Sequence, residues 1–308
     1  MSLRHIAIPW RQQRSARIYP SYALATRVQS VLQERLLAWK NLSVNGDSDK
    51  HDPPPPSLIS FTPAPTYTLG RRQTEPLSAD ELARLQAPLI LGKPAGKRVA
   101  NYTFTPEVVH TARGGLMTYH GPKQVVLWPV MDLRSPLHEN FTVREYVRLL
   151  EDTTIATLKG LYDVDAFSTP DPGVWVRQPA MGNEEKKIAA LGVHLRRHVT
   201  GLGVAINVGM PVTGSEDENP WARIVACGLG DKGVTTVAAS VSEFIGLWRA
   251  EQDITVTWAN EFAARLRVSN GAKLGSDPLV TQSNWRDWET SLQVDRAREF
   301  VTAEITRR

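Results

Sequence analysis

The chain has 308 residues, 42% of them hydrophobic and 22% charged, the balance of a soluble globular protein long enough for one large domain or two ordinary ones. No apolar run approaches the roughly 18 to 20 residues that cross a bilayer, and a single cysteine excludes an intramolecular disulfide and a cysteine-rich zinc site. A formal net charge of +4 favours acidic partners, without choosing between nucleic acid, an anionic membrane surface and an acidic carrier protein.

The first 33 residues carry no acid but contain Arg4, Arg11, Arg14, Arg17 and Arg27, the bias of a mitochondrial targeting segment. Within them Leu3 to Ile8 reads as a short strand. Tyr22, Leu24, Ala25, Val28, Val31, Leu32 and Leu36 keep a helical period up to Trp39, so this stretch also reads as part of the folded domain. Residues 45–57 are polar and contain four consecutive prolines, which makes them a loop. Residues 57–70 read as a strand leading to a turn at Leu69-Gly70.

Ser78 and Glu81 have capping-box spacing, as do Thr142 and Glu145, and each pair should open a helix. The second helix carries Tyr146, Val147, Leu149, Leu150, Ile155 and Leu158 at helical spacing, and Gly160 is placed to end it. Residues 125–133 and 174–176 look like buried strands. Residues 188–195 and 204–208 flank a turn that contains Gly201 and Gly203, as in a hairpin, and residues 224–227 form a further candidate strand. Residues 213–220 are acidic and turn-rich, an exposed insertion. Residues 241–250 and 257–266 read as amphipathic helices, and the tail from Trp285 looks helical. The expected architecture is a single α/β (α+β) catalytic domain over residues 1–308, decorated near 45–57 and 213–220, with a possible short targeting segment at the extreme N-terminus.

Three segments carry chemistry. Residues 113–120 read R-G-G-L-M-T-Y-H; the paired glycines permit close approach of an acyl chain or its thioester, with Tyr119 and His120 able to wall a pocket. Cys227 ends a candidate strand and enters a glycine turn, where backbone N–H groups could stabilise the oxyanion of an acyl-transfer intermediate. A free thiol has a pKa of about 8.5 and needs a positive neighbour to be a thiolate at neutral pH. Lys186 and Lys187 of E-E-K-K-I-A-A-L-G are the candidates, and strand alternation points them to opposite sides without saying which faces inward. Two other patterns are declined. Gly228-Leu-Gly230-Asp-Lys-Gly233 is literally G-x-G-x-x-G, but a dinucleotide site also needs a βαβ unit and a following acid, and neither is clear. His194 and His198 have helical metal spacing within a strand pattern, which argues against zinc.

Taken in order, the octet, K-I-A-A-L-G and C-G-L-G resemble the octanoyl (lipoyl) transferases over roughly residues 60–240. The resemblance implies a mixed sheet flanked by helices, of the biotin-protein-ligase and lipoate-ligase type. It implies transfer of an octanoyl group from octanoyl-acyl carrier protein to a lysine of lipoyl domains, through a thioester on Cys227 whose pKa Lys187 lowers. Substrate would be bound by Arg113, Gly114, Gly115, Leu116, Met117, Thr118, Tyr119 and His120, by Ala190, Leu191 and Gly192, and by Gly203, Val204 and Ala205. Small residues lining a narrow slot suit a saturated eight-carbon chain. No cofactor and no metal are implied. The implied partners are octanoyl-acyl carrier protein, the lipoyl domains of 2-oxoacid dehydrogenase complexes and the glycine-cleavage carrier protein, with neither nucleic acid nor membrane.

The chain departs from the family pattern at Ala226, where proline is usual, at Leu202, where histidine is usual, and at Lys123, where glycine is usual. An ATP-dependent lipoate or biotin ligase of the same fold is the alternative. It would need no cysteine, so Cys227 is the discriminating feature. A nucleic-acid-binding role would want aromatic residues among the basic clusters, and these are sparse. The insertions and the proline-rich loop have a eukaryotic character, which points to mitochondria, with the cytoplasm as the other compartment.

Overall fold

The computed structural model describes residues 2–13, 16–44, 52–91, 102–178, 184–224, 233–241, 250–267 and 269–270. In chain order the strands are β1 (Ser2–Ile8), β2 (Arg11–Gln13), β3 (Ala16–Ile18), β4 (Ser57–Phe61), β5 (Thr66–Leu69), β6 (Leu89–Leu91), β7 (Tyr102–Phe104), β8 (Glu107–His110), β9 (Thr118–His120), β10 (Gln124–Val130), β11 (Ala166–Ser168), β12 (Val174–Gln178), β13 (Glu184–Arg196), β14 (Val199–Asn207) and β15 (Ser269–Asn270). The helices are α1 (Tyr22–Val44), α2 (Ala79–Gln86), α3 (Val143–Tyr162), α4 (Val237–Ser240) and α5 (Ala250–Arg265).

Eight strands form one mixed sheet in the order β11-β12-β13-β14-β10-β4-β1-β15. Pairing is antiparallel from β11 to β4 and parallel from β4 through β1 to β15. Alternation along the central strands divides their side chains between two cores. Leu58, Val125, Leu127, Val204 and Ile206 meet α3 and α5 on one face. Ile59, Phe61, Val126, Trp128 and Ala205 meet α1 on the other, through Tyr22, Leu24, Ala25, Val28, Leu32 and Leu36. The basic N-terminal stretch thus supplies a strand of the main sheet, between β4 and β15, and a helix of the domain. A three-stranded sheet, β8-β5-β9, packs with α2 over a third, smaller core.

Both capping boxes form: Ser78 exchanges bonds with Glu81, and Thr142 with Glu145, at the N-termini of α2 and α3. Gly160 does not end α3. The helix runs two residues further, and Asp163, at φ 53, adopts the left-handed cap with its N–H on the Leu158 and Lys159 carbonyls. Asp tolerates that backbone, and Lys159 sits 2.6 Å from its carboxylate. The β13–β14 hairpin is as expected, but its turn is Arg197-His198, at φ 52 and 67, and not the glycines. Gly201 and Gly203 lie within β14, where other side chains and backbone press on them. A Cβ at 203 would stand 2.2 Å from the Leu127 carbonyl oxygen, and one at 201 would stand 2.5 Å from Gln33 Nε2. Of the two late helices, residues 257–265 fall in α5, whereas 242–249 lie outside the described residues, as do most of the 224–227 strand and the tail from Trp285.

The two kinds of glycine should behave oppositely. Gly203→Ala has to push a strand away from a backbone oxygen and should cost about 2 kcal/mol or more. Gly160→Ala, on an exposed helical position with open space around it, should add about 0.5 to 1 kcal/mol. Urea unfolding of both variants checks this, and equal effects would remove close approach as the reason for Gly203.

Candidate active site

On the α1 face, the sheet carries a narrow cleft where β13 and β14 pair. Gly192 sits directly across from Gly203, flanked by the Leu191–Val204 and Ala190–Ala205 pairs. The loop between β8 and β9 covers this cleft. Its Arg113 is buried, and the aliphatic stem lies on Gly192, where a Cβ would come within 2.9 Å of Arg113 Cδ. The guanidinium is held by the Thr68 carbonyl at 2.6 Å, the Thr68 hydroxyl at 3.0 Å and the Gly114 carbonyl at 3.0 Å. Arg113 is therefore a clamp that fastens the loop to β5 while roofing the slot.

The remaining walls are Thr118, His120, Trp128, Tyr22 and Leu202. Ser21 caps α1 by accepting the Leu24 N–H at 3.1 Å, which brings Tyr22 over the cleft. Its ring stacks on His120 at 5.5 Å and meets Trp128 edge-on at 5.2 Å. As it stands the slot holds about 30 Å³, room for about two waters. The Thr118 hydroxyl in its wall is buried without a hydrogen-bond partner among the described residues. A buried hydroxyl left unpaired costs roughly 1 to 3 kcal/mol, a cost that a ligand carbonyl would remove.

Of the residues expected to bind substrate, Arg113, Thr118, His120, Ala190, Leu191, Gly192, Gly203, Val204 and Ala205 line this cavity. Gly114, Gly115, Leu116, Met117 and Tyr119 do not. Tyr119, read from sequence as a pocket wall, instead packs in the third core against Tyr67 and Trp221, at ring distances of 5.2 and 6.0 Å. Gly115, at φ 84, supplies the turn, and its carbonyl comes so close to Gly70 that a Cβ there would lie 2.3 Å away. Tyr22 and Trp128 carry no sequence signal that would have placed them at the site.

A chain of buried amides fixes the state of His120. The Thr235 carbonyl can only accept, so the Asn207 atom 3.1 Å from it is the amide nitrogen. Asn207 Oδ1 then accepts from Gln124 Nε2 at 2.9 Å, and Gln124 Oε1 faces His120 Nδ1 at 2.9 Å. Nδ1 must donate, which leaves the lone pair on Nε2. Burial, with the Arg113 charge adding to it, lowers the His120 pKa to about 4, although the bond to Gln124 acts the other way. The imidazole is neutral at pH 7. The spacing H-x-x-x-Q and the Asn two residues beyond Ala205 were the sequence signals for this relay.

Lys187 is 5% exposed, and the Lys186 side chain, 16% exposed, faces Glu184 at 3.8 Å. Val174 pairs with Ala189 but Trp175 pairs with Lys187, so Ile188 is an extra residue in β13. Ile188 and Ala189 both enter the α3–α5 core. The Lys187 ammonium donates to the Pro172 carbonyl at 3.0 Å and lies 4.6 Å from the centre of the Trp175 ring. Gly173, at φ 139, makes room for its stem, since a Cβ there would come within 2.9 Å of Lys187 Cε. On its backbone, Lys187 donates to the Gly233 carbonyl and accepts from the Thr235 N–H, both at 3.0 Å. Cys227 lies outside the described residues, in the segment that joins Ile224 to Gly233.

No helix of the described residues is long and apolar enough to cross a membrane, and no group of three or more His, Cys, Asp or Glu among them is arranged to hold a metal ion.

Residues 31–257 match the family model described as lipoyl protein ligase A/B catalytic domain. The chain is 37% identical over 184 residues to a protein of Schizosaccharomyces pombe named "Probable octanoyltransferase", covering 60% of this chain and 68% of that one. It is 31% identical to the mitochondrial octanoyltransferase of Saccharomyces cerevisiae, covering 59% of this chain and 57% of that one. It is 34% identical to the mitochondrial octanoyl-acyl-carrier-protein:protein N-octanoyltransferase of Danio rerio, covering 60% and 67% respectively. The matched region thus spans 57 to 68% of these relatives' lengths. Among solved structures, the bipartite lipoate protein ligase of Thermoplasma acidophilum superposes with a TM-score of 0.55 at 12% identity, over 95% of this chain and 92% of that one. A lipoate-protein ligase A bound with ATP gives 0.52 at 13% identity, over 95% and 94%. These likenesses establish the fold: a mixed sheet flanked by helices, as in the lipoate ligases.

The neutral His120 makes a pH-dependent contribution to stability. Its folded pKa of about 4 lies below the unfolded value of 6.5. Above pH 6.5 neither state is protonated and stability is complete. As pH falls toward 4 the unfolded chain takes up a proton that the fold refuses, which removes about 1.4 kcal/mol per pH unit. His5, also lowered to about 4 by burial, adds a similar slope. His120→Asn should reduce the slope of unfolding free energy between pH 6 and 4.5 by about one proton's worth, roughly 1.4 kcal/mol per unit. An unchanged slope would mean that the imidazole titrates in the fold as it does in the unfolded chain.

Proposed function

The chain belongs to the lipoyl protein ligase A/B catalytic-domain family and is an octanoyltransferase, an acyltransferase of lipoate biosynthesis; from that premise we propose that Cys227 carries the acyl group as a thioester and that Lys187 holds the thiol as thiolate. The donor is octanoyl-acyl carrier protein, and the acceptors are lysines of lipoyl domains, in 2-oxoacid dehydrogenase complexes and the glycine-cleavage carrier protein. Mitochondria are the proposed compartment, as the names of the yeast and zebrafish relatives suggest.

The observation that carries this reading is the position of Lys187. Its backbone is hydrogen-bonded to Gly233 and Thr235, the residues that follow the cysteine segment, and its strand continues into the slot through Ala190 and Gly192. Cys227 is six residues from Gly233, within roughly 20 Å even for a fully extended chain. In the first half-reaction the thiolate attacks the thioester carbonyl of the donor; the new carbon–sulfur bond forms as the carrier's thiolate leaves. In the second, the acceptor lysine's amine attacks the acyl-enzyme, an amide forms and the Cys227 thiolate is released, while the amine's proton passes to solvent. Backbone N–H groups of the glycine turn would stabilise each oxyanion. Burying the seven saturated carbons of the chain is worth roughly 5 to 6 kcal/mol, which is available to offset the cost of opening the slot.

Incubation with octanoyl-acyl carrier protein alone should add one octanoyl group to the intact protein by mass, without ATP. Cys227→Ser should abolish both the adduct and transfer to a lipoyl domain. Transfer that needs ATP, or that survives the serine substitution, would instead indicate a ligase mechanism.

The lysine assignment is tested separately. Lys187→Ala should raise the Cys227 pKa toward about 8.5 and slow its alkylation by iodoacetamide near neutral pH, with recovery as pH rises. Lys186→Ala should leave the profile unchanged. The reverse pattern would transfer the role to Lys186.

A further inference from the structure

On the reading of the slot as the acyl site, we propose that Leu202, together with Tyr22, closes its distal end and sets the length of chain the enzyme accepts. Behind these two residues lies a second, open cavity of about 420 Å³ between the start of α1, the β8 end and His194. Tyr22 and Leu202 are the residues common to both linings, so they form the partition between slot and groove.

Strand register gives the slot a direction. Along β13 the order is Lys187, then Ala190 and Gly192 in the slot wall, then Val193 paired with Leu202, then His194 in the wall of the groove. A chain anchored at the Lys187 end therefore points its methyl terminus at Leu202. The slot is only about 30 Å³ in this structure, so some wall must yield to admit an acyl chain. Around Gly203 no displacement is available, because the Leu127 carbonyl and Pro129 already stand where its Cβ would be. Gly192 is likewise covered by the Arg113 stem, which is hydrogen-bonded in place. Leu202 and Tyr22 have empty volume behind them, and they are the walls with space into which to move.

Leu202 is also placed at some cost in backbone freedom. It is buried and adopts φ 62, the left-handed region, with its N–H held by Gln29 Oε1 at 2.6 Å. Glycine is the residue that best tolerates this backbone. A branched apolar side chain here is explained by what it blocks.

The variant that tests this is therefore one the backbone favours. Leu202→Gly should keep the fold, which its unfolding transition checks, and its effect on transfer is read as a ratio between chain lengths. It should also raise kcat/KM for dodecanoyl- and tetradecanoyl-acyl carrier protein, relative to octanoyl, by about tenfold or more, since a methylene or two in an apolar site carries that much discrimination. Tyr22→Ala, which opens the same partition from the other side, should shift the ratio in the same direction. Ala23 is exposed and lines the groove but not the slot, so adding Ala23→Trp to Leu202→Gly should return the long-chain ratio toward that of the native protein. If Leu202→Gly and Tyr22→Ala both transfer octanoyl with an unchanged chain-length profile, the partition does not measure length. If the native protein transfers no octanoyl, the acyl-transfer reading itself fails.

Discussion

Gly192 of β13 faces Gly203 of β14, and this pairing of two residues without side chains keeps a cleft open on a sheet face that is otherwise filled. The Arg113 stem enters above Gly192, and the Leu127 carbonyl comes within reach of Gly203 from β10. Neither approach survives a Cβ. Because side chains alternate with a period of two, a slip of one residue in this hairpin would bring Val193 opposite a glycine and close the cleft. The register is secured at the far end by a turn built on Arg197 and His198, both with positive φ. It is secured at the middle by Gln29 and Gln33 of α1, which bond to Leu202 and Thr200.

The cleft is apolar, yet its edge is built on polar order. One backbone carbonyl, that of Thr235, dictates the orientation of Asn207, which dictates that of Gln124, which dictates the tautomer of His120. The relay spans β9, β10, β14 and Thr235, so the covering loop and the stretch that follows the cysteine segment share one hydrogen-bonded frame. Such a network is rigid when every member is satisfied, and here each amide has its partner. A cationic imidazole would be costly at this buried position. Burial beside Arg113 keeps it neutral.

Lys187 gains its position from an irregularity. The extra residue Ile188 resets the alternation of β13, so that two successive residues enter the α3–α5 core and Lys187 pairs with Trp175. Gly173 yields the space for its stem, and the Pro172 carbonyl and the Trp175 ring meet its ammonium. Glu151 of α3 accepts the Gly173 N–H at 3.1 Å, and burial raises its carboxyl above the usual range.

Local rules carried much of this protein into view from its residues. Both capping boxes formed because a hydroxyl and a carboxyl three residues apart satisfy each other without help from the rest of the chain. The ordered segments around Arg113, Lys187 and Cys227 were enough to place the chain in its family, since each is a short pattern of chemistry. Three things were not local. The hairpin turn was misplaced because Gly201 and Gly203 look like turn glycines until Gln33 and Leu127 are seen packed against them. Tyr119 was read as a pocket wall, but neighbours from β5 and the Pro220–Arg223 turn draw it into another core. Tyr22 and Leu202 became walls of the slot only because α1 crosses that face of the sheet. Sequence by itself determined the caps, the alternation and the family, through patterns that act over a few residues. Which glycines are turns and which are contacts, which of two lysines is buried and where the slot ends were decided by the tertiary structure, because each depends on atoms brought close from distant parts of the chain.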